Sequence, residues 1–166
     1  ELLLSYPLAF AGLYLLLRRQ GLPRDAAMFG CLTFTFGSFF TLHFVHPNAL
    51  AVMAHLPWLL WAVDVICAHT EGKVSPKSPD SSHSNSTTYG CSEPNSAWRL
   101  LAAQCVLVLF TASQLLLGYP QYVWFSLLGI AAFFLWRTRA WQWSTRGKLG
   151  AAVCVGLALG LAVAAA

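Results

Sequence analysis

The sequence predicts an all-α, polytopic transmembrane bundle of about six spans. Three observations lead there. First, hydrophobic residues make up 57% of the 166 residues. Charged residues make up 10%, against about 25% in soluble domains. Second, the apolar residues gather in long runs, each near the ~20 residues that a helix needs to cross a bilayer. Third, the ten Lys and Arg residues stand in short clusters between those runs. A water-soluble fold cannot cover so much apolar surface with so few charges.

The spans are expected at about 2–17, 26–45, 49–68, 98–117, 121–136 and 149–166. Helices are the default because backbone polar groups in lipid must be satisfied within the segment. Four of the joints are short. The 18–25 turn is basic and carries Gly21 and Pro23; His46-Pro47-Asn48 and Gly118-Tyr119-Pro120 are tight uncharged turns; 137–148 is basic and Trp-rich. Segment 69–97 differs: it holds eight serines and three prolines, and its only apolar residues are Val74, Tyr89, Cys91 and Ala97. It is expected to be a disordered insert within one bundle. The chain opens on Glu1 and closes on Ala164–Ala166 inside an apolar run, as a fragment of a longer polytopic protein would.

Alternating spans place 18–25, 69–97 and 137–148 on one side. All ten Lys and Arg fall there: Arg18, Arg19, Arg24, Lys73, Lys77, Arg99, Arg137, Arg139, Arg146 and Lys148. The positive-inside rule makes that side cytoplasmic. The formal net charge of +4 is therefore an orientation signal, and nucleic acid is excluded as a partner. Trp98, Trp136, Trp141 and Trp143 flank the same ends and read as an interfacial belt. The lipid bilayer is the partner that the composition requires.

Candidate chemistry is sparse. The five cysteines form no CxxC pair, and four of them lie in apolar runs as small hydrophobes. His43, His46 and His55 lack accompanying acid or thiol ligands, and Pro47 divides them, so no metal site and no cofactor are expected. Asp64 is the one acid well inside an apolar run, close to the cytoplasmic end. Pairing with Arg99 or a neighbouring loop base is expected for it rather than catalysis. Asn85-Ser86-Thr87 fits a glycosylation sequon but falls on the cytoplasmic side. Gly156-x3-Gly160 is a small-residue stripe suited to close helix packing.

Several short motifs, in order, resemble the YfhO-like bacterial membrane proteins, which are similar to the GT-C glycosyltransferases. They are Leu13–Leu22, Phe34–Phe40, His46-Pro47-Asn48 and Leu56-Pro57-Trp58-Leu59-Leu60. Gln114–Gln121 resembles that family's Gly-His-Pro-Gln turn, with Tyr119 standing where the family has His. The resemblance implies a GT-C-like bundle in a bacterial inner membrane. It also implies transfer of sugar from a polyprenyl-phosphate donor to a cell-envelope acceptor on the extracytoplasmic face. His46, Asn48, Tyr119 and Gln121 are then the expected substrate-binding residues. The catalytic acid of such enzymes stands in an early extracytoplasmic loop, which would precede Glu1. Two other readings stay open: a transporter or flippase-like protein for a lipid or envelope precursor, and a non-catalytic membrane assembly subunit.

The orientation is directly testable. In a Cys-free background, Asn48→Cys and Tyr119→Cys should react with an impermeant thiol reagent in intact cells. Ser82→Cys and Ser144→Cys should react only after permeabilisation. Labelling of Ser82→Cys in intact cells would overturn the orientation.

Overall fold

The computed structural model describes residues 2–43, 46–74, 96–141 and 143–166. Every regular element among them is helical: α1 (Leu2–Arg19), α2 (Arg24–Thr35), α3 (Ser38–Leu42), α4 (Pro47–Val74), α5 (Ser96–Leu116), α6 (Pro120–Arg137) and α7 (Trp143–Ala165). Helices α2 and α3 form one broken path, so six helical paths occupy the six expected positions. Four of them are long and apolar enough to cross a membrane: Arg24–Leu42, Pro47–His69, Ala97–Leu116 and Trp143–Ala165. Helices α1 and α6, at 18 residues each, reach about 27 Å, just short of a ~30 Å hydrocarbon core.

Helix α4 is the hub. Its crossing is 67% buried, against 22–28% for the other three. Helices α1, α5, α6 and α7 all pack on it, α7 also packs on α5, and α2 packs on α1. The main core joins Leu59, Val63 and Ile66 of α4 to Leu107 of α5, Ile130 of α6 and Val153 of α7. The outer faces stay apolar, with Leu109, Leu128, Leu135 and Leu161 exposed. Such surface suits lipid and would aggregate in water. The chain is an integral membrane protein.

Local chemistry sets the joints. Gly21 takes φ +85° and closes α1 as a Schellman motif: its N–H donates to the Arg18 carbonyl at 3.2 Å and that of Leu22 to the Leu17 carbonyl at 3.2 Å. Gly118, at φ +74°, ends α5 in the same left-handed conformation, donating to the Leu115 carbonyl at 3.2 Å. Pro47 and Pro120 are the first residues of α4 and α6. There a missing N–H costs nothing and a fixed φ helps.

Three expectations change. The second span is broken rather than continuous, because α2 stops at Thr35 and α3 starts at Ser38. A Cβ at Gly37 would stand 2.6 Å from the Thr33 carbonyl oxygen, so the break accepts no side chain there. Thr33 and Thr41 also turn their hydroxyls back onto the Phe29 and Gly37 carbonyls, at 2.9 and 3.2 Å, a bond that bends helices. Secondly, the polar joints are narrower than the composition suggests. Helix α4 continues through His69–Val74, α5 begins at Ser96, and α7 already includes 143–148. Residues 75–95 of the expected insert, with the Asn85 sequon, lie outside the described residues, as do 44, 45 and 142. Thirdly, Trp98, Trp136 and Trp143 are exposed as belt residues should be, but Trp141 packs against the main core.

The Gly156/Gly160 stripe is used inside the chain. A Cβ on Gly160 would stand 2.7 Å from Thr111 Cβ and 2.9 Å from the Val108 carbonyl oxygen, and one on Gly156 would meet Gln104 Oε1 at 2.7 Å. Helix α7 therefore lies flush on α5, where Gln104 Nε2 donates to the Ala152 carbonyl at 3.3 Å. Gly160→Val should cost about 1–3 kcal/mol through overpacking, read as lowered thermal stability in detergent. Gly129→Ala, whose Cβ would stand 3.6 Å from Leu56 Cδ1 in ordinary contact, should cost nothing. Equal stability of both variants would contradict the flush α5–α7 contact.

Candidate functional site

The two ends of the bundle differ in chemistry. At one end lie the two Pro-initiated helix starts. The His46 carbonyl accepts the N–H groups of Ala49 and Leu50 at 3.0 and 3.3 Å, and the Tyr119 carbonyl those of Tyr122 and Val123 at 3.1 and 3.3 Å. Each start thus has one capping residue, a proline, then a neutral polar residue: His46-Pro47-Asn48 and Tyr119-Pro120-Gln121. The side chain of Tyr119 makes no capping hydrogen bond, so backbone carbonyls carry the cap.

The two turns are neighbours in space. The His43 ring meets the Tyr122 ring edge-on at 5.9 Å between centroids, and Tyr122 lies 5.8 Å from Tyr119. His46 and Gln121 are exposed, and Asn48 and Tyr119 are partly buried. All four expected site residues therefore share one end of the bundle, on adjacent helix starts. Sequence reasoning overlooked His43 and Tyr122, which join the turns. The signal was faint: one aromatic residue stands just inside each hairpin.

Below these turns, Gln114 locks three helices. Its Nε2 donates to the Val52 carbonyl of α4 at 2.8 Å and contacts Ser126 Oγ of α6 at 3.2 Å. Gln114 is 2% exposed and Ser126 0%, so a buried amide fixes the α5–α6 hairpin against α4 directly under the neutral turns. His55 is also buried, with its ring against Phe110 at 4.8 Å. The three histidines thus occupy different places: His43 on Tyr122, His46 at a helix start and His55 in the core. No three His, Cys, Asp or Glu side chains come together among the described residues.

The opposite end carries the charges. Asp64, 3% exposed, lies 17 residues beyond Pro47, or about 25 Å along α4. Arg19 Nε donates to its Oδ2 at 2.8 Å; Gln20 Nε2 and Arg137 Nε donate to its Oδ1 at 3.0 and 3.1 Å. The expected partner was Arg99 or a loop base. The observed bases are the last residues of α1 and α6, which both finish at the level of Asp64. Beside this cluster a cleft of about 430 Å³ opens between α1, α4 and α5, lined by Arg18, Arg19, Arg99, Trp61 and Trp98 among others. Sequence reasoning took those arginines for orientation charges alone, since only the packing brings them together.

No protein-family model, curated protein or solved structure matches the chain. What its fold and site define by themselves is a helical integral membrane protein with a neutral, turn-built end and a basic, aromatic end.

Proposed function

We propose that the chain is part of a multi-pass membrane glycosyltransferase-like protein. In this reading its neutral end faces away from the cytoplasm of a bacterial cell and holds a polyprenyl-phosphate-linked sugar for transfer to a cell-envelope acceptor. The observation that carries the reading is the His43–Tyr122 contact. It sets two Pro-initiated helix starts side by side and so gathers His46, Asn48, Tyr119 and Gln121 on one surface. These four offer neutral donors and acceptors for sugar hydroxyls. The lipid-facing sides of α4 and α6 offer apolar wall for a prenyl chain. The four residues position substrate; the acid or base for transfer comes from outside this chain.

A second reading has one observation in its favour. The α2–α3 path is broken at Phe36–Gly37 within a membrane crossing, and broken helices recur at the substrate sites of transporters. A lipid or envelope-precursor transporter would use that break.

Transfer assays on the full-length protein separate the two readings. His46→Ala and Gln121→Ala should each lower transfer per milligram of monodisperse protein about tenfold, since loss of one hydroxyl partner raises the barrier by ~1.4 kcal/mol. Thermal stability should hardly move, because both side chains are exposed. Full specific activity in both variants would remove the site assignment. Lipid translocation in proteoliposomes without any sugar transfer would favour the second reading.

A further inference from the structure

We propose that the cleft between α1, α4 and α5 at the charged end binds the phosphate headgroup of an anionic membrane lipid. The inference does not rest on the transfer reading, which concerns the opposite end of the bundle.

The first argument is charge. Arg18 and Arg19 come from the last turn of α1, and Arg99 from the first turn of α5; all three line the cleft, and no acidic side chain does. The nearest described acid is Asp64, one turn from the lining residues Trp61 and Val65 on α4. Its carboxylate is already shared between Arg19 and Arg137. Two guanidinium groups divide one carboxylate there, and Arg18 and Arg99 add charge that Asp64 does not reach in these hydrogen bonds. The cleft is therefore positive. Guanidinium groups bind phosphate oxygens with paired N–H donors. Helix α5 also opens here, and the free backbone N–H groups of its first turn favour an anion at the same place.

The second argument is the rest of the lining, which is apolar and interfacial. Leu15, Val65 and Ala102 form the wall, with Trp61 and Trp98 beside them. Trp98 is 67% exposed. Tryptophan at this level marks the headgroup boundary, with an indole N–H available to an ester or phosphate oxygen. A free phosphate needs donors but no apolar wall. A phospholipid needs both, and a basic cleft between helices at the positive side of a membrane protein is where such headgroups lodge. Helices α1 and α5 each pack on α4, and the groove they leave between them continues the cleft toward the bilayer for an acyl chain.

Native mass spectrometry of the detergent-solubilised chain, titrated with dioleoyl phosphatidylglycerol or dioleoyl phosphatidylcholine, tests this. Phosphatidylglycerol should bind tighter than phosphatidylcholine. The Arg18→Ala/Arg99→Ala variant should lose about tenfold or more of that affinity, with phosphatidylcholine unaffected. Arg139→Ala/Lys148→Ala removes two exposed charges from the same end but outside the cleft, and should stay within about twofold of the parent, as diffuse surface attraction is weak. Arg19 is left in place because it holds Asp64. Should the double variant fail to fold, Arg18→Ala alone should still weaken phosphatidylglycerol selectively. Unchanged phosphatidylglycerol binding in the cleft variants, or an equal loss in Arg139→Ala/Lys148→Ala, would overturn the site. Inorganic phosphate raising the thermal stability of lipid-free protein as much as phosphatidylglycerol would overturn the membrane lipid as its source.

Discussion

One buried carboxylate governs the charged end of this bundle. Asp64 lies in the most buried helix, and an unpaired carboxylate there would bear a desolvation cost that membrane folding does not tolerate. It is satisfied by Arg19, Gln20 and Arg137, which belong to the ends of two other helices. That requirement fixes where α1 and α6 finish along α4. Both helices have 18 residues, and their basic last turns also complement the helix dipole. The two arginines remain partly exposed, at 30% and 23% of their side chains, so each reaches the acid while its stem leaves along the membrane boundary. Pairing of this kind stabilises less than its Coulomb energy suggests, but loss of one partner leaves a charge stranded.

The remaining helices are placed by packing rather than by charge. Membrane helices gain nothing from burying apolar surface against each other instead of lipid, so close approach and interhelical hydrogen bonds must hold them. Both devices are present. Gly156 and Gly160 let α7 reach the backbone of α5. On the other side of α4, Gly12 leaves room for the Trp58 indole, whose Nε1 donates to the Leu8 carbonyl of α1 at 2.9 Å. Gln114 performs the same task between α4, α5 and α6. Tyr6, Phe34 and Phe40 then pin α3 to α1 through ring contacts of 5.4–5.6 Å. The neutral turns therefore rest on a rigid base, which any positioning role for His46 or Gln121 requires.

Much of the fold was legible because hydropathy and turn chemistry act locally. Apolar runs bounded by Gly21-Leu22-Pro23, Pro47 and Gly118-Tyr119-Pro120 located the helices to within a few residues. The break at Phe36–Gly37 was not legible, since Phe34–Phe40 is as apolar as its flanks and the cause is a steric contact with Thr33. The helical extension of α4 to Val74 was hidden by polarity: a helix can leave the membrane without ending, and composition then marks the water boundary rather than the helix end. For the site, the sequence located the two turns through their prolines. It could not show that His43 touches Tyr122, 79 positions away. Asp64 was recognisable as a paired acid, but its partners were not, because the choice between Arg19, Arg99 and Arg137 depends on which helices flank α4. The cleft formed by Arg18, Arg99 and Trp61 draws on three helices and has no linear signature.

The account depends most on Asp64 acting as a shared partner for α1 and α6. Double-mutant cycles measure that sharing directly. Asp64→Asn would be combined with Arg19→Gln and, separately, with Arg137→Gln, each variant unfolded in detergent under reversible conditions. Coupling of about 1 kcal/mol or more in both cycles is the expected result for hydrogen-bonded charge pairs in contact. Additivity within about 0.5 kcal/mol in both cycles, the behaviour of independent sites, would contradict it.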